Sequence, residues 1–189
     1  MAVVVTLCAL RGVVGVTLRL FGQVVGMALR ALDNPAAMGS DLVVGAAAAL
    51  AIHAPPLIII DMGTATTMTV IDREARVLGG AIIPGVGISL EALANGTSQL
   101  PHISLDAPKK CISSDTVEAM RSGSVFGTAA MLDGMIERME AELGEPAAVI
   151  ATGGLGGCII PYCRREITYD KNLLLNGLWA LYQKNKRKR

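Results

Sequence analysis

An α/β fold built around an antiparallel three-strand meander is what this 189-residue sequence predicts. Three observations carry that prediction. Leu57-Ile58-Ile59-Ile60 is an aliphatic run too short for a helix and rich in β-branched residues, which suits a strand buried on both faces. Two more β-favouring stretches follow at once, residues 67–71 and 77–83, joined by the charged turn Asp72-Arg73-Glu74. Helical patterning then takes over near Asp115, where Asp115 and Glu118 form a capping-box-like pair, and a further strand follows at residues 147–151.

Taken in order, residues 2–10 read as a buried strand, followed by helical spacing through Leu18, Leu20 and Phe21 and an apolar run over residues 24–32. Asp33-Asn34-Pro35 is a turn signal. Residues 41–52 form an Ala-rich helix, apolar nearly all round and therefore buried. After the meander, Gly85-Val86-Gly87 leads into a short helix at residues 89–94, and residues 101–110 are irregular. The long helix presents an apolar face through Val117, Met120, Met131, Met135 and Met139, with Gly123 and Gly127 offering a closely approachable side. The strand at 147–151 runs into Thr152-Gly153-Gly154. A closing helix spans residues 172–182, with Trp179 expected in the core, and the basic tail 184–189 is expected in solvent.

Composition narrows the functional classes. Hydrophobic residues make up 52% of the chain and charged residues 17%, with a net charge of +1, so no field recruits nucleic acid or anionic lipid. Aromatic residues are only 3%, which disfavours base-stacking platforms. Cys8, Cys111, Cys158 and Cys163 show no CxxC pair and no zinc-finger spacing, so reduced thiols are expected. The uncharged stretch 42–60 is long enough for a membrane span, but His53 and Pro55-Pro56 divide it into a helix and a strand. No positive region precedes the first apolar run, so a signal peptide is not expected, and a cytoplasmic location is. His53 and His102 are read as structural.

The chemistry concentrates in few residues. No GxxxxGK loop is present, and residues 85–90 fail the dinucleotide fingerprint at its last position. The informative element is Asp61-Met62-Gly63-Thr64-Ala65-Thr66-Thr67, which follows one strand and enters another. Such a turn exposes N–H groups and hydroxyls where Gly admits a phosphate, and its Asp is placed to hold a cation; taken alone, it reads equally well as a plain hairpin. Asp41 is a rare acid at the mouth of an apolar helix, a position that by itself favours an N-terminal helix cap or a first-turn partner of the helix dipole.

In their order along the chain, Asp61 to Thr67, Gly79-Gly80-Ala81-Ile82-Ile83-Pro84-Gly85-Val86-Gly87-Ile88-Ser89, Asp115-Thr116-Val117-Glu118-Ala119-Met120 with Ser122-Gly123, and Thr152-Gly153-Gly154-Leu155 resemble the second half of a type III pantothenate kinase. The ending Tyr169-Asp170-Lys171-Asn172-Leu173-Leu174-Leu175-Asn176-Gly177-Leu178 is similar to that family's closing helix, so the likeness spans residues 33–185. The resemblance implies an actin-like (ribonuclease H-like) lobe over residues 33–189, flanked by helices and carrying substrate, cation and part of the ATP site. Residues 1–32 would then be the remnant of a first, nucleotide-binding lobe. The implied activity is ATP-dependent phosphorylation of pantothenate, the first step of coenzyme A synthesis, by a homodimer using ATP with Mg²⁺ and a monovalent cation, K⁺ or NH4⁺.

Residue by residue, the resemblance implies substrate contacts at Gly39-Ser40-Asp41-Leu42, with Asp41 as proton acceptor, and at Thr116. It implies ATP contacts at Gly63 and Thr64 and the monovalent cation at Asp61. A helix N-terminus at Thr116 suits an anionic substrate. Two departures stand out. Leu42 replaces the usual Arg, so contact there is through backbone or apolar surface. No Asp-x-Gly-Asn-Thr turn precedes Asp33, from which a shortened first lobe is expected, with a weak or inactive ligand-binding homologue as the alternative reading.

Overall fold

The computed structural model describes residues 39–186, so the strand and helix expected within residues 1–32, and the end of the basic tail, lie outside the described residues. The first described helix, α1, is Ser40–Ile52, and it stops at His53, whose extended backbone leaves its N–H donating to the Ala49 carbonyl at 2.8 Å. The chain then enters β1, Leu57–Met62. The uncharged stretch is therefore divided as its breakers imply, and no described helix is long and apolar enough to cross a membrane.

β1 pairs antiparallel with β2, Ala65–Ile71, and β2 pairs antiparallel with β3, Val77–Pro84. On its other side β1 runs parallel to β4, Ala148–Thr152, which is itself parallel to the short β5, Thr168–Tyr169. The sheet order is β3-β2-β1-β4-β5, so the expected meander is three adjacent strands of one sheet. Asp72 closes the β2–β3 turn by accepting from the Arg76 backbone N–H at 2.8 Å and its guanidinium at 2.6 Å. Those bonds hold the Asp72 carboxyl below its usual range, outweighing the opposing effect of burial.

The helices are α2 (Val86–Gly96), α3 (Thr116–Leu143), the single turn α4 (Gly156–Ile159) running into a 3-10 turn at Ile160–Tyr162, and α5 (Leu173–Lys186). Strand alternation sorts the apolar residues into two cores. Ile58, Ile60 and Met62 face Val125, Ala129, Leu132 and Ile136 of α3, together with Val86 and Leu90 of α2. Leu57 and Ile59 face the other way, onto Ala46, Ala48 and Ala49 of α1 and Leu173 of α5. The alanines of α1 let α5 approach closely: a Cβ on Gly177 would overlap the Ala48 Cβ and lie 2.6 Å from the Ala48 Cα.

Four local expectations are corrected. α2 begins at Val86 rather than residue 89, because Gly85 takes an extended N-cap conformation and burying Val86 and Leu90 rewards an earlier start. Met120, as expected, is on the buried face of α3 with Val125, Ala129, Leu132 and Ile136, while Met131, Met135 and Met139 are only partly buried along its flank. Gly123 and Gly127 are not approached: a Cβ on either meets nothing within 4 Å. Trp179 is 61% exposed rather than core, stacked on Tyr182 with centroids 5.7 Å apart. Since α5 docks through Leu173 and Gly177, a residue two positions beyond Gly177 points to the opposite side of the helix.

The α1–α5 crossing yields a direct test. Gly177→Leu forces the two helices apart and is expected to destabilise the chain by about 1–3 kcal/mol, the usual range for overpacking, as read by urea denaturation. Gly123→Ala, with open space around its Cβ and a helix-favouring change, is expected to be neutral or stabilising in the same measurement.

Candidate functional site

Chain direction brings the two candidate acids together. Four residues separate the end of α1 from the start of β1, and α1 packs back on the face of Leu57 and Ile59, so the helix runs antiparallel to the strand. The start of α1 therefore lies at the end of β1. Asp41 is in the first turn of α1, and Asp61 is the next-to-last residue of β1 on that same face. Their carboxylates are close enough to interact. Asp61 is half-buried and its carboxyl is pushed above the ordinary 3.8, first by burial and then by the negative charge of Asp41. Asp41 itself is exposed, and its Oδ1 accepts from the Leu42 N–H at 3.0 Å. Gly39, extended at φ −59° and ψ 143°, is the N-cap, so Asp41 is a first-turn acid and not the cap. Ser40 opens the helix, and Leu42 is half-buried behind Asp41.

Three chain segments meet beside this pair. The first is the β1–β2 turn, where the Gly63 N–H donates to the Ala65 carbonyl at 3.1 Å and Thr64 stands exposed at the tip. The second is the start of α2, whose Gly85 N–H donates to the Thr64 carbonyl at 3.2 Å. A Cβ on Gly85 would overlap the Thr64 carbonyl oxygen and sit 2.7 Å from that of Gly63, so only glycine permits the contact. The third is the loop after β4. Gly153 has a left-handed φ of +97°, and a Cβ there would lie 2.5–2.6 Å from the Met62 backbone. The Tyr169 hydroxyl donates to the Gly153 carbonyl at 2.8 Å and holds that loop down.

Thr116, at the start of α3, is exposed behind its N-cap Asp115, which accepts from the Glu118 N–H at 3.0 Å. One half of the capping pair read from the sequence is thus formed, while the Glu118 carboxylate accepts from Arg121 at 2.8 Å instead of from the Asp115 N–H. Asp41 and Asp61 interact at the end of β1, and Thr64 lies three residues past Asp61 in the adjoining turn; Thr116 opens a different helix, and none of the described hydrogen bonds joins it to them.

Two neighbours of Asp61 received no role from sequence reasoning. Thr67 is its partner across the antiparallel pair and Thr152 its partner across the parallel pair, so the row Thr67–Asp61–Thr152 shares one face of the sheet. Thr152 is buried and Thr67 half-buried. The signal was present in strand parity, but reading it requires the pairing register.

A protein-family model described as type III pantothenate kinase matches residues 9–138. The chain belongs to the type III pantothenate kinase family. A type III pantothenate kinase of Exiguobacterium sibiricum is 46% identical over 155 residues, covering 82% of this chain and 61% of that relative. One from Dehalococcoides mccartyi is 42% identical, covering 82% of this chain and 59% of its own length. The chain thus spans about three fifths of the curated family members it matches. Among solved structures, a conserved Campylobacter jejuni protein assigned to the Baf family of transcriptional activators superposes with a TM-score of 0.57 at 23% identity, over 87% of this chain and 72% of that one. That likeness supports the fold.

The raised Asp61 carboxyl has a consequence for stability. In the unfolded chain Asp61 ionises near 3.8, whereas folded it holds its proton to higher pH. Between those two values the folded state binds more protons, so its stability falls as pH rises through the interval and is then level. Asp61→Asn removes the penalty. The variant is expected to match wild type in urea melts at about pH 3 and to exceed it at about pH 7, in low salt without potassium. A variant less stable than wild type at neutral pH would refute this account of the pair.

Proposed function

We propose that this chain carries the phosphoryl-transfer site of an ATP-dependent pantothenate kinase, acting on the substrate's primary hydroxyl. The observation behind the reading is the Asp41–Asp61 pair at the end of β1, beside a glycine-lined turn with exposed hydroxyl and N–H groups. In this reading Asp41, exposed at a helix mouth, accepts the proton of the attacking hydroxyl. Gly63 and Thr64 meet the phosphates of ATP, which arrives with Mg²⁺. The turn approaches a phosphate through its Gly63 backbone while the Thr64 hydroxyl donates.

The residues around Asp61 fit a monovalent cation, K⁺ or NH4⁺. Among the described residues no group of three or more His, Cys, Asp or Glu is gathered, so the donor set is one half-buried carboxylate with the Thr67 and Thr152 hydroxyls on the same face. Such a cation supplies positive charge beside the transferring phosphoryl group when bound. It also relieves the desolvated Asp61 charge, which is the reason the carboxyl stays above its usual range without it.

Substrate contacts are proposed along Gly39-Ser40-Asp41-Leu42 and at Thr116. Leu42 offers backbone and apolar surface where the family uses Arg, and the free N–H groups at the start of α3 suit a carboxylate. A cytoplasmic homodimer belongs to the same proposal. An exposed apolar stripe on α5, through Leu175, Leu178, Trp179 and Tyr182, supports self-association. In the same proposal the described residues belong to the second lobe; the first-lobe remnant expected of residues 1–32 lies outside them.

The test is ADP release coupled to an optical assay, with pantothenate, ATP, Mg²⁺ and K⁺. Asp41→Asn is expected to lower kcat by about 10²–10⁴, as loss of a general base does, with the KM for ATP little changed. Asp61→Asn is expected to abolish the dependence of rate on K⁺. Turnover unaffected by Asp41→Asn would sink the base assignment, and turnover equally fast without pantothenate would sink the substrate.

A further inference from the structure

A groove of about 370 Å³ runs between the C-terminal half of α3 and β3, the outer strand of the described sheet. It exists because β3 supplies Gly79, Gly80 and Ala81 there, with no side chain larger than a methyl group. The flank of α3 therefore overhangs an uncovered stretch of strand. Met135, Met139 and Leu143 line its helix side and are only half-buried. Arg138 and Glu142 stand exposed on the same flank, and among the described residues neither is in an ion pair. None of these residues has a role in the phosphoryl-transfer reading.

The strand itself is a poor template for a further strand. β3 carries no charge, but its pairing with β2 slips register between Val70 and Ile71, and Pro84 ends it without an N–H to donate. A bulge and a proline are the devices that blunt an exposed sheet edge. What is left to cover is the groove, a contact made by side chains and not by backbone.

The order of residues along the flank selects the occupant. Set a second α3 antiparallel to the first, about a twofold axis passing near Met139. Met135 then faces Leu143 of the second copy, Met139 faces its own counterpart, and Arg138 of each copy comes within side-chain reach of Glu142 of the other. The apolar contact is about 12 Å long, eight residues of helix, with an ion pair on either side of the axis. A twofold contact requires one patch to be its own complement, and this flank meets that condition in both its apolar spacing and its charges. Methionine, unbranched and flexible, suits a surface that is wet in one state and packed in the other. We infer that this flank of α3 is a self-association face, on which a second copy of the chain seats its Met139 in the groove and exchanges Arg138–Glu142 pairs. It lies on the opposite face of the sheet from α5, so it is distinct from the α5 stripe, and it goes beyond the kinase reading, which makes no use of it.

The experiment is sedimentation equilibrium of the full chain in low salt, in a Leu178→Ser/Trp179→Ser background that removes the exposed apolar stripe of α5. That background is expected to dimerise. Arg138→Glu, at an exposed position, replaces two attractions across the joint by two repulsions and is expected to weaken association about tenfold or more. Glu142→Arg is expected to do the same. The double variant Arg138→Glu/Glu142→Arg restores both pairs with their signs exchanged, and is expected to associate as the background does. A background protein that stays monomeric overturns the proposal. Single variants that associate as well as the background overturn it too, as does a double variant that stays as weak as the singles. The readout is mass and not turnover, so each of these failures leaves the kinase reading standing.

Discussion

Everything in this lobe is referred to one strand. β1 is the central member of the five-stranded sheet, with Leu57, Ile58 and Ile60 fully buried and Ile59 nearly so. Both cores are built on it, one from each parity of its side chains. The strand's apolar run ends at Asp61, where one face opens. A carboxylate in that position is desolvated by the same sheet that orders it, and its raised titration reflects that position. Burial of β1 thus does two things at once. It stabilises the sheet, and it delivers one half-buried charge to the edge where α1 begins.

Close backbone approach is the second constraint, and it follows from the first. With β1 fixed between β2 and β4, the loops at the ends of these strands have little space to share. Gly85 and Gly153 settle this by omitting a side chain at the two points where backbones touch, against the Thr64 carbonyl and against Met62. Gly80 does the same within the sheet, where a Cβ would overlap the Met68 carbonyl. Glycine loses more conformational entropy on folding than other residues, so its use at these contacts marks where geometry outweighs local propensity.

α3 is the frame for the rest. Near its start it holds the irregular segment through Arg121 and Ser122, and near its middle Asp133 accepts the backbone N–H groups of Arg164 and Arg165 at 2.9–3.1 Å. Glu140 then binds the Ala147 N–H at 2.9 Å and the Arg165 side chain at 2.5 Å. Apart from the Arg121–Asp106 and Glu140–Arg165 side-chain pairs, these are bonds from a rigid element to loop backbone, the sort that orders a connection without adding to the core. Cys163, packed beside Asp133, has its thiol pushed up to about 11 by burial and by that carboxylate, so it is an inert packing group and no nucleophile.

The meander, the buried alanine helix, the capping pair at Asp115 and Glu118, and the turn at Asp61 to Thr67 were all legible in the sequence, because each rests on contacts between near neighbours. β5 and α4 were not, since two strand residues and one helical turn are too short to show a period. The exposure of Trp179 was misread because helical spacing reports that a residue has a face and not what that face meets. Asp41 and Asp61 could each be picked out as rare acids beside apolar elements. Their approach to each other depends on α1 running antiparallel over β1, and the places of Thr67 and Thr152 on either side of Asp61 depend on register. Local patterning determined by itself the strands β1 to β4, the longer helices and the turn. Only the tertiary structure decided which ends meet, because that choice is made by strand pairing and by the close contacts at Gly85, Gly153 and Gly177, between residues far apart in the chain.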